Sequence, residues 1–309
     1  MNLKKPKFWN YKRPNLYAYL LLPFAFLLKL INLLKIKPKK KKLNIKTICV
    51  GNIYLGGTGK TSLSLKINEI LNKKGFKVCF VKKFYKNQID EQNLLRDKGK
   101  LFLSKKRLEA IYQAEMENYE IAILDDGLQD NSINYDLKFL CFNNINWIGN
   151  GLTIPAGPLR EDINNIKNYN HIFLNGNLEN LDFIKKKILE INKKTNIHIG
   201  KYEPLNLSEF NKNDKYLAFS GIGNHETFIS MTKNYGLNIC KEIEYPDHYA
   251  YNDNDIKEIL KQSNVLNCKI ITTEKDYLRL KTKHRDQIKY IKTELKIIDE
   301  EKLVNVIVK

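Results

Sequence analysis

The chain has 309 residues, of which 43% are hydrophobic, and a formal net charge of +19. This length allows one large α/β domain or two packed domains, and the apolar content excludes a chain that is disordered throughout. The excess of basic residues suits nucleic acid, anionic lipid or a phosphorylated substrate, and charge alone does not choose among them.

The five cysteines are odd in number and lack the spacing of a metal site. They are Cys49, Cys79, Cys141, Cys240 and Cys268. We interpret them as reduced thiols that mostly fill the core.

The first predicted element is an apolar helix over Leu16–Leu34. A helix needs ~20 apolar residues to cross a bilayer, so this run is just long enough. Pro23, Lys29 and Asn32 weaken the prediction of a membrane helix, and a buried core helix is the alternative. No small-x-small motif follows the run, which argues against a cleaved secretory signal. Whether the helix spans the bilayer or lies in one leaflet stays open.

The sequences that flank this run favour a membrane surface. Aromatic residues of the kind found at membrane interfaces occur at Trp9, Tyr11, Tyr17 and Tyr19. Seven lysines follow the run, namely Lys35, Lys37, Lys39, Lys40, Lys41, Lys42 and Lys46. Such a group beside an apolar helix attracts anionic lipids, at ~1 kcal/mol per charge, and predicts that the following chain is cytoplasmic. A solvated basic linker is the simpler interpretation, and both can hold.

A phosphate-binding loop is predicted between a short strand over 45–50 and a helix over 60–73 that Gly75 ends. Its residues are Gly56, Gly57, Thr58, Gly59, Lys60 and Thr61. Glycines let backbone N–H groups surround phosphate oxygens, Lys60 would reach the β- and γ-phosphates of ATP, and Thr61 would offer a hydroxyl to Mg²⁺. The strict pattern has glycine where this chain has Tyr54.

A pair of carboxylates follows the next strongly apolar strand, predicted over 119–124. Asp125 and Asp126 then precede Gly127. Carboxylates at the carboxyl end of a strand beside a phosphate loop are typical Mg²⁺ ligands. An ordinary Asp-Gly turn is the alternative.

Taken in order, the motifs resemble those of the tetraacyldisaccharide 4'-kinase family of the lipid A pathway. The matching segments are VGNIYLGGTGKTS, the acidic pair after Ile89, ILDDGLQD, IPAGPLRE, FSGIGNHETF, YPDHYAY and ITTEKD. The phosphate loop is shared by many families, whereas this ordered combination is highly specific.

The resemblance implies roles for individual residues. Lys60 and Thr61 would serve ATP and Mg²⁺, the metal would be held by Thr61, Asp125, Asp126 and Glu161, and Arg160 would act at the reacting phosphate. Asp90 and His248 match the aspartate and histidine that activate the sugar hydroxyl in the family. From the residues alone, His248 is more simply interpreted as a structural histidine in a Pro-Asp-His turn. The substrate would be a lipid disaccharide 1-phosphate at the cytoplasmic face of the inner membrane, among anionic lipids, and no protein partner is predicted.

The chain departs from the family at three places. Asp130 stands where the family has a histidine after the DDGxQ glutamine, and Tyr249 replaces the second histidine of the DHH motif. The family's Ser-Arg-Gly-Tyr-Gly loop is replaced by residues 81–86, VKKFYK, which run quickly into Asp90. This shortened segment lies directly before Asp90 and could alter the lid or the acceptor preference.

Alternating strand and helix patterns predict an α/β fold of the P-loop NTPase type, with a mostly parallel sheet, an N-terminal membrane helix and a smaller C-terminal α/β domain. The predicted segments are 1–42 for the membrane-associated helix and basic linker, 43–207 for the kinase core and 208–309 for the smaller domain. A polar stretch over 201–214 is interpreted as the junction.

Two other functions compete with the kinase. A membrane-associated P-loop NTPase switch is the main alternative, but Leu55 stands where partitioning ATPases have their signature lysine. Residues 273–276, TEKD, lack the spacer of a guanine-specificity motif. Nucleic-acid binding is not expected, because no nucleic-acid module is found and much of the charge lies beside the apolar run.

Overall fold

The computed structural model describes residues 6–34, 41, 43–85 and 88–309, apart from the side chains of residues 32 and 33. Five lysines of the predicted lipid-binding group, Lys35, Lys37, Lys39, Lys40 and Lys42, lie outside the described residues. Their contact with anionic lipids therefore stays a prediction.

The described ranges contain the following strands and helices. The strands are β1 (Lys46–Gly51), β2 (Val78–Lys83), β3 (Leu101–Ser104), β4 (Ile121–Asp125), β5 (Leu137–Asn143), β6 (His171–Asn175), β7 (Asn196–Pro204), β8 (Lys215–Ser220), β9 (Asn238–Glu244), β10 (Lys269–Thr273), β11 (Ile288–Ile291) and β12 (Thr293–Ile297). The helices are α1 (Leu16–Leu34), α2 (Lys60–Lys73), α3 (Ile89–Lys98), α4 (Arg107–Met116), α5 (Leu181–Ile191), α6 (His225–Asn234), α7 (Asp253–Leu266), α8 (Glu274–Arg279) and α9 (Glu300–Val308).

The larger sheet has eight strands in the order β12-β7-β6-β5-β1-β4-β2-β3. The pairs from β6–β7 through β2–β3 are parallel. β1 lies between β4 and β5, so the loop that follows β1 leaves the sheet where the strand order changes direction. In open parallel sheets, ligands bind at the carboxyl ends of the strands at such a point. The predicted mostly parallel α/β fold is confirmed, and the site is expected after β1.

The strands of this sheet read as near-continuous apolar runs because both of their faces are buried. All but one residue of β1 are buried, and all of β4 and β6 are. A rigid sheet of this kind holds the loops at its carboxyl edge in fixed positions.

A second sheet has four strands in the order β11-β10-β8-β9, and its three neighbouring pairs are parallel. The described chain divides into two compact units, of which the smaller comprises 176–179 and 201–296. The larger comprises 6–175, 180–200 and 297–309, so α9 belongs to it although it ends the chain. The three predicted segments stay predictions.

The N-terminal helix α1 exists as predicted and has 19 residues. Ala18 and Ala25 are buried, whereas most of its large apolar side chains are exposed. Within the described ranges, no helix is both long enough and apolar enough to cross a membrane.

Three strands were not predicted from the sequence, and each has a physical reason. β3 and β11 have only four residues, too few for a clear pattern. β9 is an edge strand that is largely exposed and carries charged residues in place of an apolar face. Residues 201–204, predicted as loop, continue β7.

Two buried histidines on neighbouring strands make stability depend on pH. His171 Nδ1 and His198 Nε2 are 3.4 Å apart. Burial, together with the positive charges of His171 and Lys302, lowers the pKa of His198 from 6.5 to about 4. The folded larger unit therefore holds His198 neutral at pH values where the unfolded chain binds a proton.

We expect the free energy of unfolding of the larger unit to fall as the pH decreases from 6.5 to 4. At about 1.4 kcal/mol per pKa unit, the loss should be roughly 3 kcal/mol. Urea unfolding at several pH values measures it. His198→Gln should flatten this pH dependence, and an unchanged slope in that variant would contradict the assignment.

Candidate active site at the phosphate loop

The loop between β1 and α2 has the backbone of an anion-binding turn. Gly56 and Gly59 have φ angles of 144° and 73°, which side chains rarely adopt. α2 begins at Lys60, as predicted, and extends for 14 residues. The N–H groups and the partial positive charge of its first turn suit an anion at this edge of the sheet.

Tyr54, which stands where the strict pattern has glycine, fits because its backbone does not lie in the left-handed region. Its ring is buried, and its Cε1 atom lies 3.2 Å from the point where a Cβ on Gly56 would stand. The ring therefore packs against the loop, and the φ of 144° calls for glycine at position 56, not at position 54.

Side-chain amides, of which Asn52 and Asn175 are buried, hold the loop in place. Asn52 Nδ2 donates to Thr58 Oγ1 at 2.8 Å and to the carbonyl of Tyr54 at 2.7 Å. Asn175 Nδ2, at the end of β6, donates to the carbonyl of Thr58 at 2.7 Å. Gln129 Nε2 donates to the carbonyl of Asn52 at 2.8 Å. The loop is thus shaped before any nucleotide binds, which avoids the entropic cost of ordering it.

Asp125 ends β4 and is completely buried beside the start of α2. Thr61 Oγ1 donates to its Oδ2 at 3.4 Å, and Ser64 Oγ donates to its Oδ1 at 3.4 Å. Two of the four residues predicted to hold a metal, Thr61 and Asp125, are therefore neighbours.

A lysine that the motif analysis did not single out neutralises Asp125. Lys82, on β2, donates from Nζ to Asp125 Oδ2 at 2.6 Å and to Glu91 Oε2 at 2.8 Å. We call Asp125, Lys82 and Glu91 the ion triad. Burial lowers the pKa of Lys82, but the two carboxylates outweigh it and leave the pKa above its ordinary value, so the ammonium is charged. The signal in the sequence is a lysine inside an otherwise apolar strand.

Asp126, the second carboxylate, is the partly exposed one. Lys60 Nζ and Arg160 Nη1 lie 3.8 and 3.3 Å from its Oδ1. Burial raises the pKa of Asp126, but the charges of Lys60, Arg160, Lys82 and Arg107 outweigh it, so the pKa is below its usual range. Its φ of 57° is tolerated by aspartate, and its N–H donates to the carbonyl of Val50 at 2.8 Å.

Arg160 is held at the site by its backbone and by its side chain. Its N–H donates to the carbonyl of Ile53 at 2.6 Å, and its Nη1 donates to Gln129 Oε1 at 3.2 Å. Glu161 accepts from Gln129 Nε2 at 3.5 Å and from Asn165 Nδ2 at 3.1 Å. The role of Glu161 as a metal ligand stays a prediction.

Asp130, which replaces a family histidine, has an ionic partner in Arg107 at the start of α4. Arg107 Nη1 lies 3.5 Å from Asp130 Oδ2, and its Nη2 donates to the carbonyl of Asp126 at 2.5 Å. The arginine therefore ties α4 to the turn that carries Asp126.

The donor set fits a magnesium ion shared with a nucleotide. In the described part of the chain, no group of three or more His, Cys, Asp or Glu residues could hold a metal by itself. Mg²⁺ at nucleotide sites needs no such cage, because it keeps several waters and takes one or two protein oxygens besides the phosphates. Thr61 and the partly exposed Asp126 offer such oxygens, and the role of Asp125 as a metal ligand stays a prediction.

His248 belongs to the smaller unit, where a buried carboxylate organises its surroundings. The N–H of His248 donates to the carbonyl of Gly221 at 3.1 Å, and Arg279 Nη1 donates to the same oxygen at 2.8 Å. Arg279 also pairs with the fully buried Asp276 at 3.1 Å, and Asp276 accepts the N–H of Gly221 at 3.0 Å. The TTEKD, SGIGN and PDH motifs thus form one structure.

The environment of His248 is polar and partly open. Arg279 Nη2 is 3.5 Å from its Nδ1, and its side chain is 27% exposed, which leaves a route to a substrate. Tyr249, which replaces the second family histidine, donates to Asp255 Oδ2 at 3.2 Å. It stacks with Tyr245 and so has a structural role in this chain.

Asp90 lies in the first turn of α3, next to Glu91 of the ion triad. It is half-buried and belongs to the larger unit. Because His248 belongs to the other unit, the pairing of Asp90 with His248 stays a prediction.

Comparison with known proteins gives matches over nearly the whole chain. The family model described as Tetraacyldisaccharide-1-P 4'-kinase matches residues 17–309. A tetraacyldisaccharide 4'-kinase of Pelagibacter ubique (strain HTCC1062) is 57% identical over 309 residues, covering 100% of this chain and 98% of the relative. One of Rickettsia akari (strain Hartford) is 32% identical over 302 residues, covering 90% and 89%.

A solved structure is similar as well. LpxK from Aquifex aeolicus in complex with ATP shares 26% identity with a TM-score of 0.67, covering 94% of this chain and 98% of that one.

Proposed function

The chain belongs to the family of tetraacyldisaccharide-1-P 4'-kinases, and we infer from this that it transfers a phosphoryl group from ATP to the 4'-hydroxyl of a tetraacyldisaccharide 1-phosphate in lipid A biosynthesis. The observation that carries the assignment in the structure is the convergence of Lys60, Arg160 and Asp126 at the start of α2. A phosphoryl group placed there would meet two fixed cations and the N-terminus of a helix.

The chemistry needs mostly positioning and charge, because the transferred group carries its negative charge on three oxygens. Lys60 Nζ lies 3.8 Å from Asp126 Oδ1, and the side chain of Lys60 can turn from there to the β- and γ-phosphates of ATP. Arg160, aligned by Gln129, can stabilise charge on the transferred group. Magnesium, held by Thr61 with the partly exposed Asp126, would neutralise the phosphates further.

The acceptor needs a base, because a sugar hydroxyl is a weak nucleophile at neutral pH. His248 is the proposed base, and Asp90 would orient it and stabilise the imidazolium that forms. The Asp276–Arg279–Gly221 contacts support this role, because they fix the backbone at position 248.

The direct test of the function is phosphoryl transfer by the solubilised protein. With Mg²⁺, γ-labelled ATP and the tetraacylated disaccharide monophosphate, we expect label in the lipid. Lys60→Ala should lower the rate by at least about 10²-fold, because it removes a cation from the transferring phosphate. Lys73→Ala, at the far end of the same helix, is the matched control. Hydrolysis of ATP without label in the lipid would refute this acceptor and favour an NTPase switch.

A second prediction concerns the base. His248→Ala should lower kcat by roughly 10²–10⁴-fold while the affinity for ATP stays the same, because the histidine acts only on the acceptor. His284→Ala, in the same unit, removes a histidine bound to Asp253 and should leave kcat unchanged. Equal kcat values for wild type and His248→Ala would assign His248 a structural role.

We further propose that the protein works at the cytoplasmic face of the inner membrane, with α1 lying on anionic lipid. On α1, Leu20, Phe24 and Leu27 are 63%, 60% and 54% exposed. They are spaced by four and three residues and so share one helix face. A large exposed apolar face on a soluble domain marks an interaction surface, and the acceptor is itself a lipid.

This proposal predicts that Leu20→Asp combined with Phe24→Asp weakens sedimentation of the protein with phosphatidylglycerol vesicles. The control is Met116→Asp combined with Val265→Asp, which replaces two exposed apolar residues outside α1 and changes the net charge by the same amount. Equal sedimentation of the two variants would contradict binding through α1.

A further inference from the structure

The ion triad places a positive charge where a phosphate-loop enzyme would otherwise offer a metal ligand. Lys82 Nζ lies 2.6 Å from Asp125 Oδ2, the same oxygen that accepts from Thr61. Strand-end carboxylates and the loop threonine are the usual protein ligands of Mg²⁺ in such enzymes. In this chain the buried carboxylate already has a cation on it.

Lys82 forms a buried ion pair rather than a surface ion pair. Its side chain is 3% exposed, that of Asp125 is not exposed at all, and that of Glu91 is 22% exposed. Two carboxylate oxygens within 2.8 Å of one buried ammonium leave a single net negative charge. Without the ammonium, two carboxylates would face each other with two negative charges, which is the arrangement that binds a divalent cation.

We propose that Lys82 is a positioning residue that occupies the inner metal position of this site with its ammonium group. It holds Asp125 and Glu91 in place of a metal, and leaves Thr61, the partly exposed Asp126 and the nucleotide to share the Mg²⁺ that enters with ATP. Through Glu91 it also fixes the first turn of α3, which carries Asp90. The proposal refines the kinase function above and rests on it for the role of ATP.

Divalent-metal binding in the absence of ATP and lipid tests the proposal separately from the reaction. The probe is Mn²⁺, followed by electron paramagnetic resonance, in the full-length solubilised protein. We expect wild type and Lys82→Arg to show no tight site. Lys82→Met, which removes the charge at similar volume, should gain a site that binds Mn²⁺ at least about tenfold more tightly, because the ammonium no longer occupies the oxygens of the two carboxylates.

A double variant controls for the new carboxylate pair. Lys82→Met with Glu91→Gln removes one of the freed ligands, and it should lose the gained site while remaining folded. If Lys82→Met is unstable alone, added Mn²⁺ should raise its Tm but not that of the double variant, since a cation that binds only the folded state stabilises it.

Two results would overturn the proposal. One is tight binding of Mn²⁺ by wild type without ATP, equal to that of Lys82→Met. The other is an unchanged affinity when Glu91→Gln is added to Lys82→Met. If wild type shows the expected metal binding but no phosphoryl transfer, the result would leave this proposal standing and would count against the function instead.

Discussion

The pairing of the buried carboxylate of Asp125 with Lys82 is the constraint on which the site depends. A charged carboxylate cannot be buried without a partner, because removing it from water costs several kcal/mol. Asp125 is buried at the end of β4, in register with Val50 of β1, where the phosphate loop begins. The ammonium of Lys82 meets this requirement and fixes three elements, β2, β4 and α3, at the same edge of the sheet.

The loop itself is shaped by neutral hydrogen bonds. Asn52, in the turn after β1, donates to the hydroxyl of Thr58. Asn175, at the end of β6, donates to the carbonyl of Thr58. The partly exposed charged side chains of Lys60, Arg160 and Asp126 lie close together at this loop. Buried side-chain donors that are hydrogen-bonded to the loop rigidify it, which suits phosphoryl transfer, where positioning is most of the catalysis.

Much of this arrangement could be predicted from the sequence, because it depends on local patterns. The GGTGKT segment requires a strand before it and a helix after it, and the structure has both, with α2 over the predicted range. Asp125 ends a strand whose other residues are apolar and Asp126 follows it, so their place at the sheet edge follows from topology. The match of motifs in order gave the family, which the comparisons confirm.

The rest depends on contacts between residues distant in the chain, which no local pattern reports. Lys82 and Asp125 are 43 residues apart, and Asn175 and Thr58 are 117 apart. Arg107 and Asp130 come together only because α4 lies against the turn after β4. A lysine in a strand signals that an anion must be near it, but the partner is set by the fold. In the smaller unit, Asp276 accepts the N–H of Gly221, and this contact could not be predicted because the two residues are distant in the chain.

The most direct test of the account is a crystal structure of the full chain with Mg²⁺ and a non-hydrolysable ATP analogue. The account predicts that Lys82 Nζ stays within hydrogen-bond distance of Asp125 Oδ2, while Mg²⁺ is ligated by Thr61 and the phosphates on the side of Asp126. A structure in which Asp125 ligates Mg²⁺ directly and Lys82 has left both carboxylates would contradict it.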